Sequence, residues 1–170
     1  MPFSHAYRPR PPLRETLFKG ALIGTSGGLA EIAFIWTYMT VRGHEPGTIA
    51  RAIAEAVHLG PSASAGIAVH MALSLLLGIG LMGAWRSVRA PRPRASAAYL
   101  FMTVALIVVW SFNFLVLLPS LNPALPALLP YPVSFAATLL FALAGAPLLQ
   151  RAGAIEKPAW TVAHSRWMRP

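Results

Sequence analysis

The stretch GALIGTSGGLAEIAFIWTYMTV, Gly20 to Val41, is apolar for long enough to cross a lipid bilayer, and it carries a carboxylate, Glu31, at its centre. A crossing helix needs about 20 apolar residues, since each adds about 1.5 Å. An ionised carboxylate near mid-bilayer costs about 2.5–3.5 kcal/mol on insertion-derived scales, so something must offset it. The best candidate is His70, the only histidine well inside another apolar run.

Three more such runs follow. Hydrophobic residues make up 56% of the 170-residue chain and charged residues 11%, against about 25% charged in an ordinary soluble domain. The expected fold is all-α, a four-helix transmembrane bundle with spans at about 17–41, 62–85, 97–118 and 133–150. A basic, proline-rich arm (1–16) precedes it and a basic, aromatic tail (151–170) follows. The first run is too long and too polar at its centre for a cleaved leader, and reads as a retained helix.

Placement of the basic residues predicts orientation. The N-terminal flank holds Arg8, Arg10, Arg14 and Lys19, and the 86–96 linker holds Arg86, Arg89, Arg92 and Arg94. The tail adds Arg151, Lys157, Arg166 and Arg169. Of the 14 Lys and Arg, only Arg42 and Arg51 fall in the remaining loops. Both termini are therefore expected in the cytoplasm of a bacterial cell, with the protein multi-pass in its inner membrane. The same distribution explains the net charge of +9 without nucleic acid as a partner. In the tail, Trp160, Ala163 and Trp167 share a helical face, which suits anchoring at lipid headgroups.

The first outward loop predicts a short amphipathic helix, about Pro46 to His58. Ile49, Ile53 and Val57 lie on one side and Arg51, Glu55 and His58 on the other. Such a helix rests on the membrane surface or on a partner. His44, Glu45, Glu55 and His58 are possible metal ligands there, although Arg51–Glu55 and Glu55–His58 read more simply as surface pairs. The second outward loop, PSLNPALPALLPYP, is uncharged and holds five prolines. It is expected to be stiff and extended, and either tucked against the bundle or covered by another protein.

Gly20, Gly24 and Gly28 recur every fourth residue in span one, as do Gly66, His70, Ser74 and Gly78 in span two. Matching small-residue faces let two membrane helices approach closely, so spans one and two are expected to pair. Counted from the loop ends, Glu31 lies about 15 Å deep and His70 about 12 Å, which places them opposite one another. Ser74 sits one turn from His70, and Asn113 with Ser134 or Thr138 reaches the same half of the bundle. Three roles compete for the cluster Glu31, His70, Ser74, Asn113 and Thr138. It is a structural hydrogen-bonded lock, a proton or ion pathway, or a site for a quinone, pigment or haem. With His70 alone inside a span, a second haem ligand would have to come from a partner.

The chain has no cysteine, which excludes disulfides, iron–sulfur clusters and covalently attached c-type haem on it. Its five acids are all glutamates, so the usual carboxylate set for magnesium–phosphate chemistry is missing. No nucleophile–base arrangement stands out, and no cofactor is required.

The segments AEIAFIW, GIAVHMALSLLLGIGL and NFLVLLPSLNPALPALLPYPVSFAATLLFALAGA resemble a functionally unassigned group of small four-span bacterial membrane proteins. The motifs are Ala30–Glu31, Val69–His70–Met71, Asn113–Phe114 with Pro119, and Leu129–Pro130–Tyr131. The resemblance covers about residues 20–150, implies the same four-span fold and supplies no mechanism. The functional expectation is a non-catalytic accessory subunit of a larger inner-membrane assembly handling electrons or light, in contact with lipids and other membrane subunits. The alternatives are a small transporter or proton conductor using Glu31 and His70, and a quinone- or haem-binding electron-transfer subunit.

Overall fold

The structure is a computed structural model and describes residues 12–88 and 95–153. The remainder of the arm, the 89–94 linker and residues 154–170 with Trp160, Ala163 and Trp167 lie outside the described residues. Among the described residues, every regular element is helical. Four helices are long and apolar enough to cross a membrane, so the chain is a multi-pass membrane protein by length and composition.

Helix α1 runs Leu13–Val41, four residues ahead of the expected start. Pro12 at its N-cap supplies a fitting φ of −60°, and Glu15 in the first turn complements the helix dipole. The helix stops at a Schellman turn. Gly43 has φ +71°, and the N–H groups of Gly43 and His44 donate to Thr40 O and Met39 O at 3.0 and 2.9 Å.

Helix α2, Thr48–Ala56, lies in the loop between the first two spans. It ends on the same motif, with His58 in the left-handed position at φ +62° and His58 and Leu59 N–H bonded to Glu55 O and Ala54 O. Its partner is α3, Ala63–Ser87, which opens on Ser62, whose Oγ accepts from the Ala65 N–H at 3.2 Å. Ile49, Ala52 and Ala54 are buried, whereas Val57 is exposed, so the apolar face is shorter than the Ile49–Ile53–Val57 spacing suggests.

The third span, Ser96–Leu121, is continuous but not uniform. Helix α4, Ala95–Phe112, passes into a π-helical stretch, Asn113–Leu117, and then into α5, Leu118–Leu121. There the Leu118 N–H donates to Asn113 O, five residues back. Pro119 has no N–H, and its ring would collide with the carbonyl four residues earlier in a regular helix; a widened turn just before it relieves that conflict.

The proline segment is not extended. Pro123 caps α6, Ala124–Leu128, and Pro126 falls in its first turn, where a missing N–H costs nothing. Pro132 likewise sits in the first turn of α7, Tyr131–Gly153. Leu125 and Leu129 are buried, and Asn122 Nδ2 donates to Ala52 O at 3.4 Å, so the segment folds back onto α2.

The bundle is an open arc. Helix α1 packs on α3 and α7, and α7 packs on α4, whereas α3 and α4 barely touch. A Cβ on Gly20 would lie 2.5 Å from Ile79 Cα, one on Gly24 would meet the backbone of Ser74 and Leu75, and one on Gly78 the backbone of Gly20 and Gly24. That interface is the expected glycine seam, with one correction. Gly66 faces the backbone of Ala50 in α2, not α1. A second close approach uses Gly27 against Phe141 and Gly145 against Ile23 and Met102. One apolar core, with Ile23, Met82, Met102, Phe141 and Leu149, fills the half nearest the termini. Another, built on Met39, Ile49 and Leu129, fills the α2 end.

Candidate functional site

Between the two cores lies a cavity of about 460 Å³, inside the arc where α3 and α4 part. The site begins with Glu31. Gly20 and Gly24 of α1 lie against the α3 backbone and Gly28 against the Ser74 side chain, which brings the next residues of α1 up beside His70. The Glu31 carboxylate and the His70 ring meet there, Oε2 to Nε2, at 3.5 Å. Their side chains remain 17% and 25% exposed, respectively, which means that the pair faces the cavity and is not sealed between helices.

The Ser74 hydroxyl lies 3.5 Å from the same His70 nitrogen, and Thr138 of α7 stands beside the Glu31 carboxylate. Asn113 reaches the cavity from the π-helical stretch. All five members of the expected cluster therefore line one cavity. Ser134, the alternative to Thr138, has another task. Its hydroxyl accepts from Trp110 Nε1 at 3.0 Å and donates to Tyr131 O at 3.0 Å, so it fixes the indole in place.

That indole is the part of the site that sequence reading missed. Trp110 stacks on Phe114 with ring centroids 5.7 Å apart and planes at 18°. Phe135 and Tyr131 meet it edge-on at 5.2 and 6.2 Å. The i, i+4 spacing of Trp110 and Phe114 was the available signal, but in a wholly apolar run it does not distinguish a lipid-facing pair from a cavity wall.

The loop that carries α2 is built differently from a metal site. Arg51 grips Glu45 through both guanidinium nitrogens at 2.7 and 2.6 Å. This bond holds the Glu45 carboxyl below its ordinary range and raises the Arg51 guanidinium. The Arg51–Glu55 pair expected from spacing is replaced by Arg51–Glu45, because the bend at Gly47 brings Glu45 back over α2. Among the described residues no three His, Asp or Glu side chains converge; His44 and His58 are exposed, and His58 serves as the α2 cap.

At the opposite end, Glu15 pairs with Lys19 at 2.5 Å and with Arg86 at 3.2 Å, while Arg86 also donates to the Thr16 hydroxyl. These contacts tie the start of α1 to the end of α3. The partners are far apart in sequence, and no spacing rule connects them.

Chemically, the cavity offers an ionisable pair, the hydroxyls of Ser74, Thr138 and Ser134, and an amide on otherwise apolar and aromatic walls. It can bind and orient; the Ser74 hydroxyl and the Glu31 carboxylate approach the same His70 nitrogen at 3.5 Å, so the ring does not relay between them as it would in a hydroxyl–imidazole–carboxylate triad. No known protein family, curated protein or solved structure matches the chain.

Proposed function

We propose that this chain is a non-catalytic, multi-pass protein of the bacterial inner membrane that holds a small lipophilic molecule in the Glu31–His70 cavity. The observation supporting this most is the cavity itself: about 460 Å³, largely apolar, with its polar groups gathered in one patch. Small-molecule sites are of this size and lining, with a few convergent polar groups fixing orientation. With both termini in the cytoplasm, as the basic residues favour, the site lies in the outer half of the membrane.

A proton or ion pathway needs a polar route to both faces. Toward the termini lie Ile23, Met82, Leu106 and Phe141, all buried and apolar, which favours binding over conduction. The accessory-subunit reading keeps one specific support. The third span is only 11% buried, against 28–39% for the other three, and so leaves a face free for another membrane subunit of an electron-transfer or photosynthetic assembly.

Labelling with a photoreactive alkyl probe in membranes tests the binding reading. Saturable labelling of the α3 and α4 residues lining the cavity, competed by excess lipophile, is the expected outcome. Non-saturable labelling spread evenly over all four spans would contradict it.

A further inference from the structure

Three glutamates of this chain meet a basic group, and Glu31 meets the weakest. Arg51 grips Glu45 through two contacts at 2.7 and 2.6 Å. Glu15 has Lys19 at 2.5 Å and Arg86 at 3.2 Å. Glu31 stands where a carboxylate is most costly, yet its basic partner is an imidazole at 3.5 Å, longer than a strong charge-assisted bond. Nothing else in the cavity makes up the difference. Among the described residues of α1, α2, α3, the third span, α6 and α7 that line it, Glu31 and His70 are the only titratable side chains, and no Lys or Arg is present. Arg51, on α2, is committed to Glu45.

His70 does not depend on Glu31. The Gly28 carbonyl faces its ring and the Ser74 hydroxyl lies 3.5 Å from its Nε2, so the ring keeps two partners when neutral. One proton on the Glu31–His70 pair makes the cavity neutral, and loss of that proton leaves one negative charge. An anionic head would therefore need a second proton on the pair before it could enter without excess charge. A neutral head finds few free hydrogen bonds. The Ser74 and Thr138 hydroxyls are directed at His70 and Glu31, and Ser134 donates to Tyr131 O. An organic cation needs none of them. It displaces the proton, which leaves for the solvent, and sets its own charge against the Glu31 carboxylate, so that the cavity stays neutral. Trp36, Trp110 and Phe114 line the same cavity, and aromatic walls attract organic cations, quaternary ammonium among them.

We infer that the lipophile is an organic monocation, an ammonium on an apolar body, whose positive centre replaces the shared proton at Glu31 while its body lies against the apolar and aromatic wall. This rests on the reading that the cavity holds a lipophile, and it names the chemical class.

The test uses the full chain in phosphatidylcholine nanodiscs, titrated with decyltrimethylammonium, 1-decanol and decanoate. Tryptophan fluorescence is the readout, with empty nanodiscs subtracted. At about pH 8 the ammonium is expected to bind at least about tenfold more tightly than decanol, and decanoate more weakly than either. Glu31→Gln should bring the ammonium to within about threefold of decanol and leave decanol binding in place. In the unaltered chain the ammonium's affinity should fall by up to about tenfold per pH unit as acidification returns the proton to the pair, while decanol's stays constant. Leu73→Trp, which fills the cavity from an exposed position, should weaken both by about tenfold. Ammonium binding no tighter than decanol, a preference for decanoate, or ammonium binding unchanged by both Glu31→Gln and pH would overturn the cation assignment; sensitivity to Leu73→Trp would then leave the lipophile site standing. Binding of none of the three, or binding indifferent to Leu73→Trp and to a second cavity-filling variant, Leu117→Trp, would overturn both.

Discussion

At the scale of single residues, two histidines with similar surroundings in the sequence have different fates. His70 meets Glu31 because it lies on the glycine face of α3 at matching depth. His58 is held by backbone geometry, in the left-handed position that closes α2. A non-glycine residue there is strained by about 1–2 kcal/mol. His58→Gly should therefore stabilise the protein by about 0.5–1 kcal/mol once glycine's larger unfolded-state entropy is subtracted. Reversible unfolding in detergent would show it, and a destabilised variant would mean that the imidazole makes a contact of its own. The Glu31–His70 meeting was legible in the sequence, since depth along two antiparallel helices follows from rise per residue alone. The His58 cap was not, because Schellman turns are ordinarily marked by glycine, and the visible glycine was Gly60.

At the scale of elements, the small-residue seam holds α1 to α3. A side chain on Gly24 would drive into the Ser74 carbonyl and to within 2.8 Å of Leu75 Cα, while Gly80 of the same bundle faces open space. Gly24→Val should cost about 2 kcal/mol and separate the helices, whereas Gly80→Ala should be neutral or stabilising by up to about 1 kcal/mol. Equal effects of the two in thermal unfolding would show that α1 and α3 are not in backbone contact. The α2 loop depends on pH in a defined sense. Arg51 lowers the Glu45 carboxyl from its ordinary 4.5, so the unfolded chain takes up the proton first on acidification. The stabilisation is complete above pH 4.5 and is lost as pH falls through the lowered native value. Amide exchange in α2 should accelerate over that interval, and Arg51→Met should abolish the dependence; acceleration at neutral pH would refute the pairing. The seam was readable from four-residue spacing, but the destination of Gly66 was not. Spacing shows that a residue is small and leaves open which neighbour comes close. The proline segment was misjudged for a related reason: each proline that bars a helix interior also fits a helix first turn, and here the short helix α6 and the long helix α7 begin at those prolines.

At the scale of the molecule, the four spans form an arc closed on three sides, and the cavity with the Glu31–His70 pair lies where α3 and α4 part. Four-span architecture follows from apolar length and could be counted along the chain. The open side depends on which helices fail to touch, and no periodicity encodes that. Because the chain contains no cysteine, orientation can be tested with single substitutions. Glu55→Cys should react with a membrane-impermeant maleimide on intact cells and Ser87→Cys only after lysis; the reverse pattern would invert the topology. The central claim, that a bound lipophile contacts the Glu31–His70 pair, has a direct spectroscopic test. With five glutamates and no aspartate, the carboxyl region of an infrared difference spectrum is simple enough to assign with one variant. Addition, to the protein in nanodiscs, of a lipophile that competes the cavity labelling should shift a carboxyl band that Glu31→Gln removes; saturable binding with the carboxyl region unchanged would place the ligand elsewhere and contradict the account.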